Sequence, residues 1–247
     1  LVDDGSSDGS AEMVARAFPT VRLIRQQNLG VSTARNRGIE AARYDWIALL
    51  DSDDSWLPTK IEKIRAARRQ QPDFVLFHSD EIWVRRGVRV NPMKKHRKHG
   101  GWIFEQCLPL CAISPSASVI RKSVLQELGM FDESLPACED YALWLRRSHR
   151  FPACYLDEAL IVKYGGHEDQ LSRQHPAMDQ FRVRSLHRLL REHDLSAAQQ
   201  AAATRELMTR LDILLKGASR HDNRALLEEF LPLREYWGRV ATGAASC

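Results

Sequence analysis

Residues 46–56 read Trp46-Ile47-Ala48-Leu49-Leu50-Asp51-Ser52-Asp53-Asp54-Ser55-Trp56. An apolar run of this kind reads as a buried strand. It ends in three carboxylates within four positions, which repel one another unless a cation offsets them. Hard oxygen ligands select Mg²⁺ or Mn²⁺, and one or two carboxylates plus substrate phosphate complete such a site. Asp51-x-Asp53 is therefore a candidate metal and diphosphate site at the carboxyl end of a strand, where open α/β folds bind ligands. A second acidic strand end, Asp3-Asp4, follows Leu1-Val2. Read on their own, both residues could simply shape the turn. A third pair, Glu139-Asp140, stands at an expected helix start. There it either complements the helix dipole or supplies a general base. Three such sites in this order suit an enzyme that handles a nucleotide-diphosphate donor.

The elements that must position these groups alternate strand and helix. Ser10 caps an expected helix over 11–17, and 21–24 is a short strand. A helix over 31–43 leads to strand 46–50. Pro58 opens a helix that ends near 70. Strand 73–78 follows, then a hairpin whose arms flank Arg85-Arg86-Gly87. Residues 103–111 are expected to be helical, 116–120 a strand, 140–149 a helix and 154–163 further strand. This rhythm predicts a mostly parallel sheet flanked by helices, with an antiparallel addition. From Pro176 onward leucines recur at helical spacing, which predicts an all-helical extension. The expected division is a catalytic domain over 1–175 and a helical extension over 176–247.

The chain has 247 residues and a net charge of +4. That is mildly basic, consistent with an anionic ligand and short of a nucleic-acid-binding composition. Five cysteines with no CxxC pair speak against zinc or a disulfide framework and point to a reducing cytoplasm. The longest apolar runs are about five residues, against the ~20 that span a bilayer. Leu1 already lies within a strand pattern, so a preceding segment is expected. The basic run Met93-Lys94-Lys95-His96-Arg97-Lys98-His99 reads first as a solvated loop. Its second reading is contact with an anionic, lipid-linked acceptor at the inner face of a membrane. The half calcium loop Asp4-x-Ser6-x-Asp8-Gly9 fails because its twelfth position is Ala15.

Four motifs occur together: Leu1-Val2-Asp3-Asp4-Gly5-Ser6-Ser7-Asp8-Gly9-Ser10, Ala34-Arg35-Asn36-Arg37-Gly38, Leu50-Asp51-Ser52-Asp53-Asp54-Ser55-Trp56-Leu57-Pro58, and Cys138-Glu139-Asp140-Tyr141-Ala142-Leu143-Trp144-Leu145-Arg146. In this order the chain resembles a family 2 glycosyltransferase of the GT-A fold, over roughly residues 1–173. The resemblance implies a Rossmann-like sheet and an inverting, metal-dependent transfer from a nucleotide-diphosphate sugar, typically a UDP-sugar, to a hydroxyl of a saccharide or lipid-linked acceptor. Cell-surface polysaccharide or glycan synthesis would be the setting. It implies base contact for Asp3, cation binding for Asp53, and ribose or metal-water contact for Asp51. Asp140 becomes the base and Glu139 its support. Arg35 could meet the diphosphate or be a solvated surface arginine. His167 is a possible metal ligand and Arg173 a possible phosphate contact. The family's opening Pro-x-Tyr-Asn strand is absent from this sequence.

Two other readings stay open. The chain could be a truncated, catalytically silent binding or assembly module, or a nucleotidyltransferase on a similar sheet.

Overall fold

A computed structural model describes residues 1–166 and 175–242. Strands β1 (Val2–Asp3) and β2 (Ile24–Arg25) pair in parallel around helix α1 (Ser10–Ala17). Gly5, with φ +84°, makes the turn out of β1, and a Cβ there would meet the Asn28 nitrogen at 2.9 Å, so only glycine fits. Helix α2 (Val31–Ala41) then leads to β3 (Trp46–Ala48), β4 (Ser55–Trp56) and helix α3 (Lys60–Gln70). Strand β5 (Leu76–Arg85) turns into β6 (Val88–Val90) through Arg86 and Gly87, both at positive φ. That turn geometry matches the twist of a tight hairpin. Short helix α4 (Phe104–Cys107), strand β7 (Val119–Arg121), helices α5 (Lys122–Glu127) and α6 (Glu139–Ser148), and strand β8 (Cys154–Gly165) complete the region before the tail.

The larger sheet has six strands in the order β3-β7-β5-β8-β4, with β6 on β5. Only β5 and β8 pair in parallel within it. The sheet is therefore mixed, not mostly parallel. The helical crossover through α3 does return β5 in the direction of β3, as the rhythm requires. Strand β7 then inserts between the two and runs antiparallel to both. Insertion of a late strand between earlier ones leaves no mark on local periodicity.

Strand β5 runs unbroken from Leu76 through the expected hairpin arm, because β8 lies against nearly all of it. Its first residues, Leu76 and Phe77, are fully buried. Helix α6 is buried on most sides, through Tyr141, Leu143, Trp144 and Leu145.

The tail is helical as expected: α7 (Asp179–Glu192), α8 (Ala197–Arg220) and α9 (Arg224–Ala241). A capping box starts α8, with Ser196 accepting from the Gln199 N–H and Gln199 accepting from the Ser196 N–H. Phe181, Leu186, Leu189, Leu207, Leu211 and Trp237 belong to the same continuous apolar cluster as Leu143 and Trp144 of α6. Among the described residues no helix is long and apolar enough to cross a membrane. Cys107, Cys111, Cys138 and Cys154 are free thiols.

Candidate active site

The acidic strand end and the acidic helix start meet through α2. Arg35 donates to Asp51 Oδ1 at 2.6 Å and to Glu139 Oε1 at 2.6 Å. Its side chain is only 12% exposed and lies over the Phe131 ring. Burial works against its charge, but Asp51 and Glu139 outweigh that cost and hold the guanidinium above its ordinary range. The solvated-face reading of Arg35 is thus excluded by its position. The next residue, Asn36, is buried and fastens the loop before α6. It donates to the Phe131 carbonyl and to Glu133, and accepts the Phe131 N–H.

The two carboxylates at the start of α6 differ in surroundings. Glu139 is buried against Arg35, and burial followed by the charge of Asp140 raises its pKa. Asp140 is more exposed. Its Oδ1 accepts the Tyr141 N–H at 2.6 Å and its Oδ2 lies 3.0 Å from the Cys111 sulfur. Cys138, just before the pair, is left-handed with φ +62°. A non-glycine residue there is strained, and such strain clusters at functional sites.

The strand-end carboxylates rest on a buried turn over Pro115–Ala117. The Asp51 N–H donates to Ser116 Oγ, the Trp56 indole to the Ser116 carbonyl, and the buried Lys60 ammonium to the Ala117 carbonyl. Asp54 accepts the Tyr164 N–H of β8 rather than capping α3. Its pKa is raised, first by burial and also by the charges of Asp53 and Asp51. Acidic crowding of this kind is what a divalent cation would offset. Asp53 is exposed at the turn. With Asp51 committed to Arg35, the donor set suits a cation that takes one or two carboxylates here and completes its shell with phosphate oxygens. Among the described residues no three His, Cys, Asp or Glu side chains converge as a ready-made metal cage.

Asp3 is buried at the end of β1, where it accepts the Ser6 N–H and lies 3.7 Å from Arg25. Asp4 accepts from the Leu29 and Gly30 N–H groups at the start of α2 and so ties the turn to that helix, while the local turn bond, to the Ser6 N–H, is made by Asp3. His167 and Arg173 lie outside the described residues.

Three residues join the site that the sequence motifs do not name. Ser116 supports Asp51. Lys163, on β8, donates to Ser114 Oγ and interacts electrostatically with Glu81, Cys111, Asp140 and Asp54. Burial opposes its charge, and the carboxylates among these neighbours, Glu81 first, hold its pKa up. The third is Cys111. A lysine inside the apolar run Ala159-Leu160-Ile161-Val162-Lys163 was the one usable clue. The basic loop also departs from the solvated reading at one position. Lys98 turns inward and pairs with buried Glu81 at 2.9 Å.

The family model described as Glycosyl transferase family 2 matches residues 1–129. An "uncharacterized glycosyltransferase" of Rickettsia felis is 27% identical over 181 residues, which are 70% of this chain and 30% of that protein. The glycosyltransferase YibD of Escherichia coli is 45% identical over 67 residues, 26% of this chain and 20% of its own length. The chain thus spans less than a third of either relative. Among solved structures, Staphylococcus aureus TarS with UDP-GlcNAc superposes with a TM-score of 0.65 at 18% identity, covering 85% of this chain and 61% of that one. The mannosyltransferase PcManGT of Pyrobaculum calidifontis, solved with GDP-Man and Mn²⁺, gives a TM-score of 0.56 at 15% identity over 98% and 72% of the two chains. These likenesses give the fold as GT-A α/β with a helical extension.

Proposed function

The chain belongs to glycosyl transferase family 2, and from that premise we propose that it moves a glycosyl group from a nucleotide-diphosphate sugar to a hydroxyl acceptor. The observation that carries this reading is the double grip of Arg35. It draws the strand-end acid Asp51 and the helix-start acid Glu139 to one guanidinium. This supports a site in which the strand-end acids handle the donor and the helix-start pair activates the acceptor.

In the proposed reaction Asp140 accepts the proton of the acceptor hydroxyl. That oxygen attacks the anomeric carbon from the face opposite the leaving nucleotide diphosphate, so the configuration inverts. Asp140 suits the role because it is the more exposed acid of its pair, whereas Glu139 is committed to Arg35. Arg35 and Glu139 hold the two halves of the site in register. Asp53, with Asp51 beside it, would hold a Mn²⁺ or Mg²⁺ ion. When bound, the ion neutralises charge that builds on the leaving phosphates. Asp3, at the end of β1, is assigned to the nucleotide base, and Lys163 adds positive charge facing Asp54 and Asp140.

The donors in the superposing structures, UDP-GlcNAc and GDP-Man, define the first substrates to try. The test is release of nucleotide diphosphate and labelled sugar transfer from a panel of UDP- and GDP-sugars, with Mn²⁺ and with chelator. Turnover that requires the cation is expected. Failure to bind any nucleotide sugar, with the fold intact, would overturn the proposal in favour of an assembly module.

A further inference from the structure

The loop between α4 and β7 carries a thiol that the proposed chemistry leaves unused. Cys111 Sγ lies 3.0 Å from Asp140 Oδ2 and 3.2 Å from the Ile113 carbonyl. A thiol has one proton and donates to one acceptor at a time, and an ionised carboxylate is the stronger acceptor. Asp140 Oδ1 is meanwhile engaged by the Tyr141 N–H. Both oxygens are therefore anchored, and each keeps a lone pair.

The loop that presents this thiol is itself tied down from four directions. Tyr141 of α6 donates to the Leu108 carbonyl, and Arg210 of α8 to the Pro109 carbonyl. Lys98 donates to the Ala112 carbonyl, and Lys163 of β8 to Ser114 Oγ. A short loop held this firmly delivers its side chain to one place. Five positions beyond the thiol, the same loop reaches Ser116, which holds the Asp51 N–H.

We propose that Cys111 is a positioning residue for glycosyl transfer: its thiol fixes the Asp140 carboxylate in the rotamer from which it takes the acceptor proton. The inference rests on the reading of Asp140 as the base. The thiol stays protonated while it does this, because burial and the neighbouring charge of Asp140 both oppose its ionisation. Lys163, the cation facing both groups, acts in the opposite sense.

The contact is tested first without substrate. Alkylation of the four described cysteines by iodoacetamide is followed by peptide mass at pH 8.5 in the full chain. Asp140→Asn removes the charge that opposes the Cys111 thiolate. The rate at Cys111, relative to Cys107 and Cys154, which do not feel Asp140, should rise about tenfold, the equivalent of one pKa unit. An unchanged ratio overturns the contact.

The role is tested by transfer from UDP-GlcNAc or GDP-Man with Mn²⁺. Cys111→Ala should lower kcat about tenfold at unchanged donor KM, and Cys111→Ser, which keeps a donor, should restore most of it. Adding Cys111→Ala to Asp140→Asn should cost nothing more, since the two act as one unit. A strong effect of Asp140→Asn with none from Cys111→Ala sinks this inference alone. No effect from Asp140→Asn sinks the base assignment beneath it as well.

Discussion

Arg35 and Glu139 are 104 positions apart in sequence and 2.6 Å apart in space. The second arm of the same guanidinium holds Asp51. The side chains that carry the acidic motifs are therefore of two kinds, those bound into this grip and those outside it, and substitutions should separate them.

Asp51 and Asp53 are neighbours in the motif with different expected phenotypes. Asp53→Asn removes the charge assigned to the cation and should reduce transfer by ~10²-fold, as for lost electrostatic stabilisation of the transition state. Its melting temperature should stay near that of the parent. Asp51→Asn weakens the grip on Arg35 and should also lower unfolding stability, by about 1–3 kcal/mol for a partner lost from a buried charged group. Chemical denaturation of both variants alongside transfer rates checks the split. Equal stabilities would show that Arg35 does not depend on Asp51.

The acid pair at the start of α6 should divide in the same way. Asp140→Asn should cut transfer by ~10²–10⁴-fold, the usual worth of a general base, with nucleotide-sugar affinity near normal. Glu139→Gln should be the more damaging to folding, because it strips a charge from buried Arg35. Calorimetry of nucleotide binding, read against transfer rate, tells the two apart. If Glu139→Gln is the worse for transfer at equal stability, the roles are reversed.

Acidification should destabilise the fold well before ordinary carboxylates titrate. Burial holds His78 down at about 3, against an ordinary 6.5, and Lys98 adds to the effect. Above pH 6.5 the ring is neutral whether folded or unfolded. Below it the unfolded chain takes up a proton that the folded chain refuses, so stability is lost as the pH falls from 6.5 toward 3. Glu81 adds a second loss. Burial would raise its pKa, but Lys98 and Lys163 outweigh burial and hold it at about 2, so its contribution is present above 4.5 and disappears below. His149, held at about 4 by burial, acts in the same direction as His78. Melting temperature should therefore fall between pH 6.5 and 5, and His78→Phe should flatten part of that slope. An unaltered slope in the variant would show that His78 is not the group responsible.

The tail should prove inseparable in practice. Its buried Phe181, Leu186 and Leu207 complete the apolar cluster around α6, and Arg210 holds the Pro109 carbonyl. A chain ending before Pro176 should lose cooperative unfolding or solubility, since its removal bares α6. Arg210→Ala is the milder probe. It should lower transfer more than nucleotide affinity, by loosening the loop that presents Cys111. A truncated chain with native-like melting would show that the helices are an independent unit.

Much of this arrangement was legible in the residues. The acidic strand end, the helix start at Glu139 and the hairpin at Arg86-Gly87 are local features, set by charge spacing, a period of 3.6 and turn chemistry. What escaped was anything decided by which elements meet. Arg35 could be read as a phosphate ligand or as a surface residue, because its two acidic partners arrive from other segments. Lys98 lies in a basic run that looks solvated, yet it turns in toward Glu81. Strand β7 reads correctly as a strand, but its antiparallel seat between β3 and β5 has no local signature. Cys111 carries no motif at all, and its meaning comes only from the carboxylate it faces.

The grip of Arg35 also bears on how such a sequence would drift. A buried guanidinium stripped of a carboxylate is costly, so Asp51 and Glu139 are under selection for folding whether or not sugar is ever transferred. A lineage that gave up catalysis would keep both acids for as long as it kept Arg35. Asp140, anchored by a thiol and a backbone N–H instead of a buried cation, has no comparable debt to stability and would be among the first to change. On the proposed base role of Asp140, the state of position 140 in descendants of this chain is a better gauge of surviving enzymatic activity than the motif as a whole.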